Sequence, residues 1–139
     1  MELSDPRRYL ANAREILRKD AKKKDGRYQD KKYVRKAGHT AYVGVLEAIK
    51  EWMKATNYKV KGRKDASKYR EFLAKYNKKL LQSFNDAYEI LHLFMGYDGV
   101  QDAVVVNRGL QLAEEIIEKI KHILSKKNNT KYINYLIIQ

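Results

Sequence analysis

The sequence predicts an all-α protein, an antiparallel bundle of four to five helices, and two observations support that prediction. Apolar residues recur at helical spacing through most of the 139 residues. The single proline, Pro6, lies near the N-terminus, where it cannot interrupt the helical patterns that follow. A chain of this length can bury a core of its own. We therefore predict one helical-bundle domain over residues 1–127, followed by an apolar C-terminal tail over residues 128–139.

The first helix is predicted from Arg7 to Lys24. Ser4 and Asp5 offer side-chain oxygens that can cap its first turn. The basic tract Lys22–Lys24 is expected in its last turn, where cations meet the negative end of the helix dipole. The dipeptide Asp25–Gly26 is expected to end the helix.

The second helix, predicted from Asp30 to Met53, has the broadest apolar arc and is therefore expected at the centre of the bundle. A ridge of small residues at spacings of four, three and four is formed by Ala37, Ala41, Gly44 and Ala48. Gly38 is a second glycine in this helix, and the alternative explanation for such small residues is a ligand site. Because glycine inside a helix costs about 1 kcal/mol relative to alanine, these two glycines predict a close approach of neighbouring helices.

The remaining helices are separated by capping signals. A polar, basic loop over Lys54–Lys64 precedes a short helix after Asp65, and Asn77 is expected to cap the fourth helix. Gly96 is predicted to end that helix in a left-handed conformation. The fifth helix is expected to start near Asp102.

The C-terminal tail is unusually apolar. We predict that the fifth helix breaks at Asn128–Thr130 and that residues 131–139 pack back on the bundle. The alternative is that these residues form an oligomer contact.

Composition limits the compartment and the chemistry. The chain has no cysteine, which excludes disulfides and thiolate metal sites and is typical of a reducing compartment. The N-terminus has no signal-peptide pattern, and charges interrupt every apolar run well before the roughly 20 residues that span a bilayer. We expect a cytoplasmic protein that requires no metal or cofactor and does not bind a membrane.

The net charge of +13 is unevenly distributed. Residues 54–79 contain ten lysines and arginines against two acids, whereas residues 80–118 contain one arginine against seven acids. If the fourth helix runs antiparallel to the second, the first interhelical turn and the Gly96–Gly99 turn meet at one end, where Asp98 and Asp102 partly offset the basic residues. The opposite end is the predicted surface for an anionic partner, and its candidate residues are Lys59, Lys61, Arg63, Lys64, Lys126 and Lys127.

Catalytic candidates are weak. Arg35, His39 and His92 are expected to approach one end of the bundle, where an arginine and two histidines could bind phosphate or assist hydrolysis. The alternative is that both histidines are hydrogen-bonded residues at the edge of the core. We expect His122 to be exposed.

The second helix, with its run Tyr33–Ala48, resembles the second helix of HEPN bundles (higher eukaryotes and prokaryotes nucleotide-binding). Together with residues 87–92 and 95–99, the chain is also similar to an uncharacterised bacterial family of small helical proteins. The resemblance implies a four- or five-helix bundle that serves as a ribonuclease or a non-catalytic binding module. The HEPN catalytic motif is not matched, because only three residues separate Arg35 from His39 and both lie in the second helix.

The sequence therefore favours a non-enzymatic binding module over an enzyme. Its partner is expected to be a protein or a nucleic acid, and a homodimer of this module would use apolar helix faces or the C-terminal tail. The competing hypotheses are a HEPN-like ribonuclease and a nucleic-acid-binding protein without catalysis.

Overall fold

The computed structural model describes the main chain of residues 5–138 and the side chains of residues 5–126. The predicted all-α bundle is confirmed, with one short hairpin added to it. The elements in chain order are α1 (Pro6–Asp20), β1 (Lys23–Lys24), β2 (Arg27–Tyr28), α2 (Lys31–Ala55), α3 (Ala66–Tyr76), α4 (Lys78–Ala87), a π-helix (Tyr88–Tyr97) that continues α4, and α5 (Ala103–Ile138).

Capping side chains set the starts of the helices. An oxygen of an aspartate or asparagine accepts a hydrogen bond from a main-chain amide in each first turn, which satisfies a donor that has no partner inside the helix. The capping residues are Asp5 for α1, Asp30 for α2, Asp65 for α3, Asn77 for α4 and Asp102 for α5. The helix starts predicted at Asp65, Asn77 and Asp102 are confirmed.

Helix α2 lies at the centre, as predicted, and packs against α1, the π-helix and α5. Its glycines allow close approach: a Cβ on Gly44 would lie 2.9 Å from the Cβ of Tyr9, and one on Gly38 would lie 2.5 Å from the Cβ of Met95. The end of α1 meets the start of α2, where the Asp30 amide donates to the Ala21 carbonyl, and Tyr9 near the start of α1 meets Gly44 further along, so α1 runs antiparallel to α2. The α4–π-helix segment also runs antiparallel to α2, since Arg35 binds Tyr97 whereas Tyr42, later in α2, contacts the earlier Phe84. The largest fully buried side chains include Phe72, Phe84, Ile49, Leu73, Leu91 and Met95.

The predicted end of the first helix was wrong. Helix α1 ends at Asp20, and Lys22 adopts a left-handed conformation with φ of 54°. The basic tract therefore enters a hairpin, in which Lys24 pairs with Arg27 across Asp25 and Gly26. Both turn residues have positive φ, 52° and 75°, which is the geometry of a type I′ turn.

The predicted left-handed cap at Gly96 was also wrong. Gly96 lies inside the π-helix, and the positive φ of 64° occurs three residues later, at Gly99. The amide of Gly99 donates to the carbonyl of Met95, and the amide of Asp98 donates to the carbonyl of Leu93. The turn thus begins after Tyr97.

The predicted break at Asn128–Thr130 was wrong too, because α5 continues to Ile138. Near its start, Val106 is buried and Val105 is half-buried. The prediction that residues 131–139 pack back on the bundle concerns side chains outside the described residues.

Candidate functional site

One open groove combines aromatic and basic side chains. It lies between α2, the loop over residues 56–65, the start of α3 and the π-helix. We call it the basic–aromatic groove, and it has two adjoining parts. The aromatic part has a volume of about 730 Å³ and is lined by Tyr42, Leu46, Lys50, Arg63, Lys64, Asp65, Ala66, Tyr69, Tyr88 and His92. The lysine part has a volume of about 310 Å³ and is lined by Lys50, Met53, Lys54, Asn57, Tyr58, Lys59 and Lys64.

Helix α2 forms the floor of both parts. Tyr42, Leu46, Lys50 and Lys54 follow one another at intervals of four residues, so they lie on one face of the helix. Lys50 lines both parts, and Lys64 faces it from the loop in both. The two parts are therefore one continuous surface that meets at this lysine pair.

The loop is held against the bundle at both ends. The amide of Tyr58 donates to the carbonyl of Met53, and the ring of Tyr58 packs 5.1 Å from that of Phe72. At the other end, the Asp65 carboxylate accepts hydrogen bonds from the Ser67 hydroxyl and the Lys68 amide, which lowers its pKa. Between these anchors, the basic side chains of the loop are exposed to solvent.

His92 lies among three tyrosine rings. Its centroid is 4.9 Å from that of Tyr42, 5.0 Å from that of Tyr88 and 5.9 Å from that of Tyr97. The Arg70 guanidinium carbon lies 4.7 Å from the centroid of the Tyr88 ring, a cation–π contact. Burial raises the pKa of Tyr42 to about 12, and the nearby Tyr88 adds to that effect. The phenol of Tyr42 is therefore neutral at physiological pH.

Lys50 is positioned by two neighbours. Its ammonium group donates to a carboxylate oxygen of Glu47 at 3.0 Å, which together with a hydrogen bond to Tyr69 raises the pKa of Lys50. Within the described part of the chain, no side-chain ion pair is formed by Lys54, Lys59, Arg63 or Lys64. These four cations are therefore free to meet an anionic ligand.

The three catalytic candidates differ in their contacts and in their exposure to solvent. The Nε of Arg35 donates to the main-chain carbonyl of Tyr97 at 3.1 Å, so Arg35 binds the end of the π-helix. His39 is exposed beside Gly96, whereas half-buried His92 lines the groove. Of the three, only His92 lines the basic–aromatic groove. His122 is exposed, as predicted.

The predicted anion-binding residues are only partly brought together. Lys59, Arg63 and Lys64 line the groove, and Lys61 is exposed on the same loop. Lys126 is exposed near the end of the described part of α5, and the side chain of Lys127 lies outside the described residues. Because the loop folds back beside α2, Arg63 and Lys64 share a groove with Tyr42 rather than extending beyond the end of the bundle.

The opposite end of the bundle has the predicted meeting of two turns. The amide of Tyr28 donates to the carbonyl of Gln101, and the amide of Ala103 donates to the carbonyl of Gly26. Arg27 forms a β-bridge with Asp102. The hairpin is therefore attached by main-chain hydrogen bonds to the segment that leads into α5.

Sequence reasoning did not single out several residues that line the groove, among them Tyr42, Lys50, Lys54 and Tyr88. It also did not single out Arg70, which stacks on Tyr88. The spacing of Tyr42 and Lys50 along one helix face was a usable signal, since both lie among apolar residues that indicate the inward side of α2. The position of Tyr88 and Arg70 depends on how α3 and α4 pack, and the linear pattern does not encode it.

Two further findings concern the described residues. Among these residues, no group of three or more histidine, cysteine, aspartate or glutamate side chains could hold a metal ion. Their helices also include none that is long and apolar enough to cross a membrane.

Comparison with known sequences decides the family. The profile of DUF5618, a domain of unknown function, matches residues 1–122, which include the whole groove. The chain belongs to the DUF5618 family. A solved structure of a protein of unknown function from Dyadobacter fermentans is 48% identical to this DUF5618 chain, with a TM-score of 0.77. The match covers 86% of this chain and 92% of the other. No curated protein matches.

Proposed function

We propose that this protein is a non-enzymatic binding module that binds nucleic acid through the basic–aromatic groove. The observation that supports this most strongly is the set of free cations around an open groove that also contains aromatic rings. Phosphate groups provide most of the affinity in protein–nucleic acid complexes, and lysine and arginine are their usual partners.

The charge of the groove favours a polyanion. Glu47 offsets Lys50, and Asp65 contributes one carboxylate, whose Oδ1 accepts hydrogen bonds from Ser67 and Lys68 at the start of α3. Lys54, Lys59, Arg63 and Lys64 are left in excess. If these four neutralise phosphates of a single strand, the logarithm of the binding constant should fall with the logarithm of salt with a slope of about −3.

The groove is open rather than enclosed, and it continues from Tyr42 to Lys54 along α2 and on to Asn57 in the loop. An enclosed pocket suits a small ligand that becomes largely buried. An elongated basic channel with aromatic side chains is instead typical of sites that follow a nucleic-acid strand.

The test uses fluorescence anisotropy with a labelled RNA oligonucleotide at several salt concentrations. We expect the double variant Lys59→Ala/Lys64→Ala to bind more weakly and to reduce the salt slope by about 1.4, since two phosphate contacts are lost. The matched control is Lys23→Ala/Lys24→Ala, which removes the same charge from the hairpin at the other end. The control should retain the parental affinity.

Two outcomes would contradict the proposal. Absence of binding at low salt would exclude nucleic acid as the partner. Equal weakening by both double variants would show attraction by the net charge alone and would exclude the groove as the contact surface.

A further inference from the structure

We infer that the groove takes a single strand, with one base stacked in the aromatic part and the adjoining phosphates carried over Lys64 and Lys50 towards Lys59. This inference rests on the proposed function and adds the strandedness and the direction of the ligand. It follows from how the rings and the cations are arranged relative to each other.

Two partly exposed rings line the aromatic part. Tyr88 and His92 are both half-buried, and their rings are tilted by 40° at a centroid distance of 5.0 Å. Arg70 already stacks over Tyr88, and its Nε donates to the side-chain oxygen of Asn85 at 2.9 Å. A nucleobase has the same planar shape as these partners and can stack on an aromatic ring or on a guanidinium plane.

The cations lie beside the rings, not around them. Arg63 and Lys64 line the aromatic part from the loop, and Lys64 continues into the lysine part with Lys54 and Lys59. A strand whose base enters among the rings therefore meets the cations with its phosphates. Within the groove, the positive charge continues from Arg63 through Lys64 to Lys59.

This arrangement distinguishes a single strand from a duplex. In a duplex the faces of the bases are stacked on one another and only their edges are accessible, so the rings in the groove would have no partner. In a single strand the faces are free, and stacking is largely independent of sequence. The aromatic part therefore contributes to affinity only for an unpaired strand.

The groove also limits the length of strand that is bound. From Tyr42 to Lys54 the floor covers twelve residues of α2, which is about 18 Å at the rise of an α-helix. Stacked nucleotides advance by about 3.4 Å each. The groove should therefore be filled by about five nucleotides.

The first experiment needs no variant. The binding of a labelled pentanucleotide is compared with that of pentanucleotides in which one base at a time is replaced by an abasic sugar, and with a duplex of equal charge. We expect a loss of about tenfold at one end position and smaller losses elsewhere. Affinity should stop rising beyond about five nucleotides.

The second experiment tests whether a base stacks on Tyr88 in the groove. Tyr88→Leu removes a stacking surface and should weaken the pentanucleotide about tenfold but leave the duplex unchanged. Tyr88→Phe retains the ring and should bind as the parent does. Circular dichroism melting identifies a variant that fails to fold, and in that case the abasic series decides the question.

The inference is overturned if abasic and complete strands bind equally, or if the duplex binds as tightly as the single strand. In either case the Lys59→Ala/Lys64→Ala variant tells whether the proposed function survives. If that variant binds the oligonucleotide more weakly than the parent, the groove still binds phosphates, and only the stacking of a base is excluded.

Discussion

Where α2 crosses the π-helix, a Cβ on Gly38 would lie 2.5 Å from the Cβ of Met95 and 2.7 Å from the carbonyl oxygen of Leu91. Both distances are far below van der Waals contact, and one of the two neighbours is main chain that cannot rotate away. This contact fixes the π-helix on α2, and with it the position of His92 in the groove. The first prediction follows from it.

Gly38→Ala should destabilise the protein. The gain in helix propensity is about 1 kcal/mol. Overpacking costs about 1–3 kcal/mol, and the contacts of 2.5 and 2.7 Å place this site at the upper end of that range, so we expect a net loss of about 2 kcal/mol. Chemical denaturation followed by the fluorescence of the single tryptophan measures it. Lys36→Ala, on the exposed side of the same helix, is the control and should change stability by less than about 0.5 kcal/mol. A stabilised Gly38→Ala variant would contradict the close approach.

Gly26→Ala should destabilise the hairpin, because alanine disfavours the main-chain conformation at this position. The glycine has φ of 75°, and a Cβ there would have no atom within 4 Å, so only the left-handed conformation opposes the substitution. The expected loss is about 1 kcal/mol. Gly26→Asn should lose less, because asparagine tolerates this conformation better. Equal losses for the two variants in thermal melting would argue against a conformational cause.

Much of the fold was predictable because its signals are local. Asp30, Asp65 and Asn77 each precede an apolar run, and a capping oxygen acts within three residues of its own position. The hairpin was not predicted, although Asp25–Gly26 is a typical type I′ pair. Strands of two residues are too short to show the alternation that identifies them, and the helical pattern of α1 continues to Lys24.

The apolar spacing in the sequence did not predict the π-helix or the groove, for a different reason. A π-helix differs from an α-helix by hydrogen bonds to the fifth rather than the fourth residue, and the apolar spacing of residues 88–97 fits both. The sequence singled out the basic residues of the loop by their charge alone, and their role in binding stays a prediction. These basic residues lie beside Tyr42 and Tyr88 because the loop folds back along α2. That arrangement depends on contacts between residues far apart in the sequence.

The third prediction concerns the ion pair that joins α1 to α5. The Arg7 guanidinium donates to both carboxylate oxygens of Glu118, at 2.7 and 2.9 Å, and this hydrogen bonding lowers the pKa of Glu118 below 4.5. A lowered pKa in the folded state adds stability above the unfolded value of about 4.3, and that stability is lost as the pH falls through the lowered value. Because both side chains are about half exposed, we expect a coupling of only about 0.2–1 kcal/mol.

A double-mutant cycle with Arg7→Met and Glu118→Gln measures that coupling. It should be present at pH 7 and should decline as the pH is lowered below 4.5. A coupling that is independent of pH over this range would mean that the two side chains interact by packing instead of charge.

The fourth prediction concerns Tyr42 at high pH. Its pKa of about 12 in the folded protein lies above the ordinary value of 10. Between these values the unfolded chain loses a proton that the folded protein retains, so stability falls as the pH rises. One proton accounts for at most about 1.4 kcal/mol per pH unit.

Tyr42→Phe removes that contribution, and the variant should lose less stability than the parent between pH 10 and 12. Urea unfolding at a series of alkaline pH values measures the difference. Burial also raises the pKa of Tyr28 and Tyr69, so the variant should retain part of the alkaline sensitivity. Identical slopes for parent and variant would show that the phenol of Tyr42 is solvated in the folded protein.

The last prediction separates a structural role for Arg35 from a ligand-binding one. Its guanidinium binds the Tyr97 carbonyl at the end of the π-helix, and a Cβ on neighbouring Gly99 would lie 3.2 Å from its Nε. Arg35→Ala should therefore cost about 1 kcal/mol of stability, the usual worth of a partly exposed hydrogen bond. His39→Ala, on the same exposed face, should leave stability unchanged within about 0.5 kcal/mol. If Arg35 acts only by holding the turn, the affinity of Arg35→Ala for RNA should equal that of the parent at temperatures where both are folded. A loss of RNA affinity without a loss of stability would instead place Arg35 in contact with the ligand.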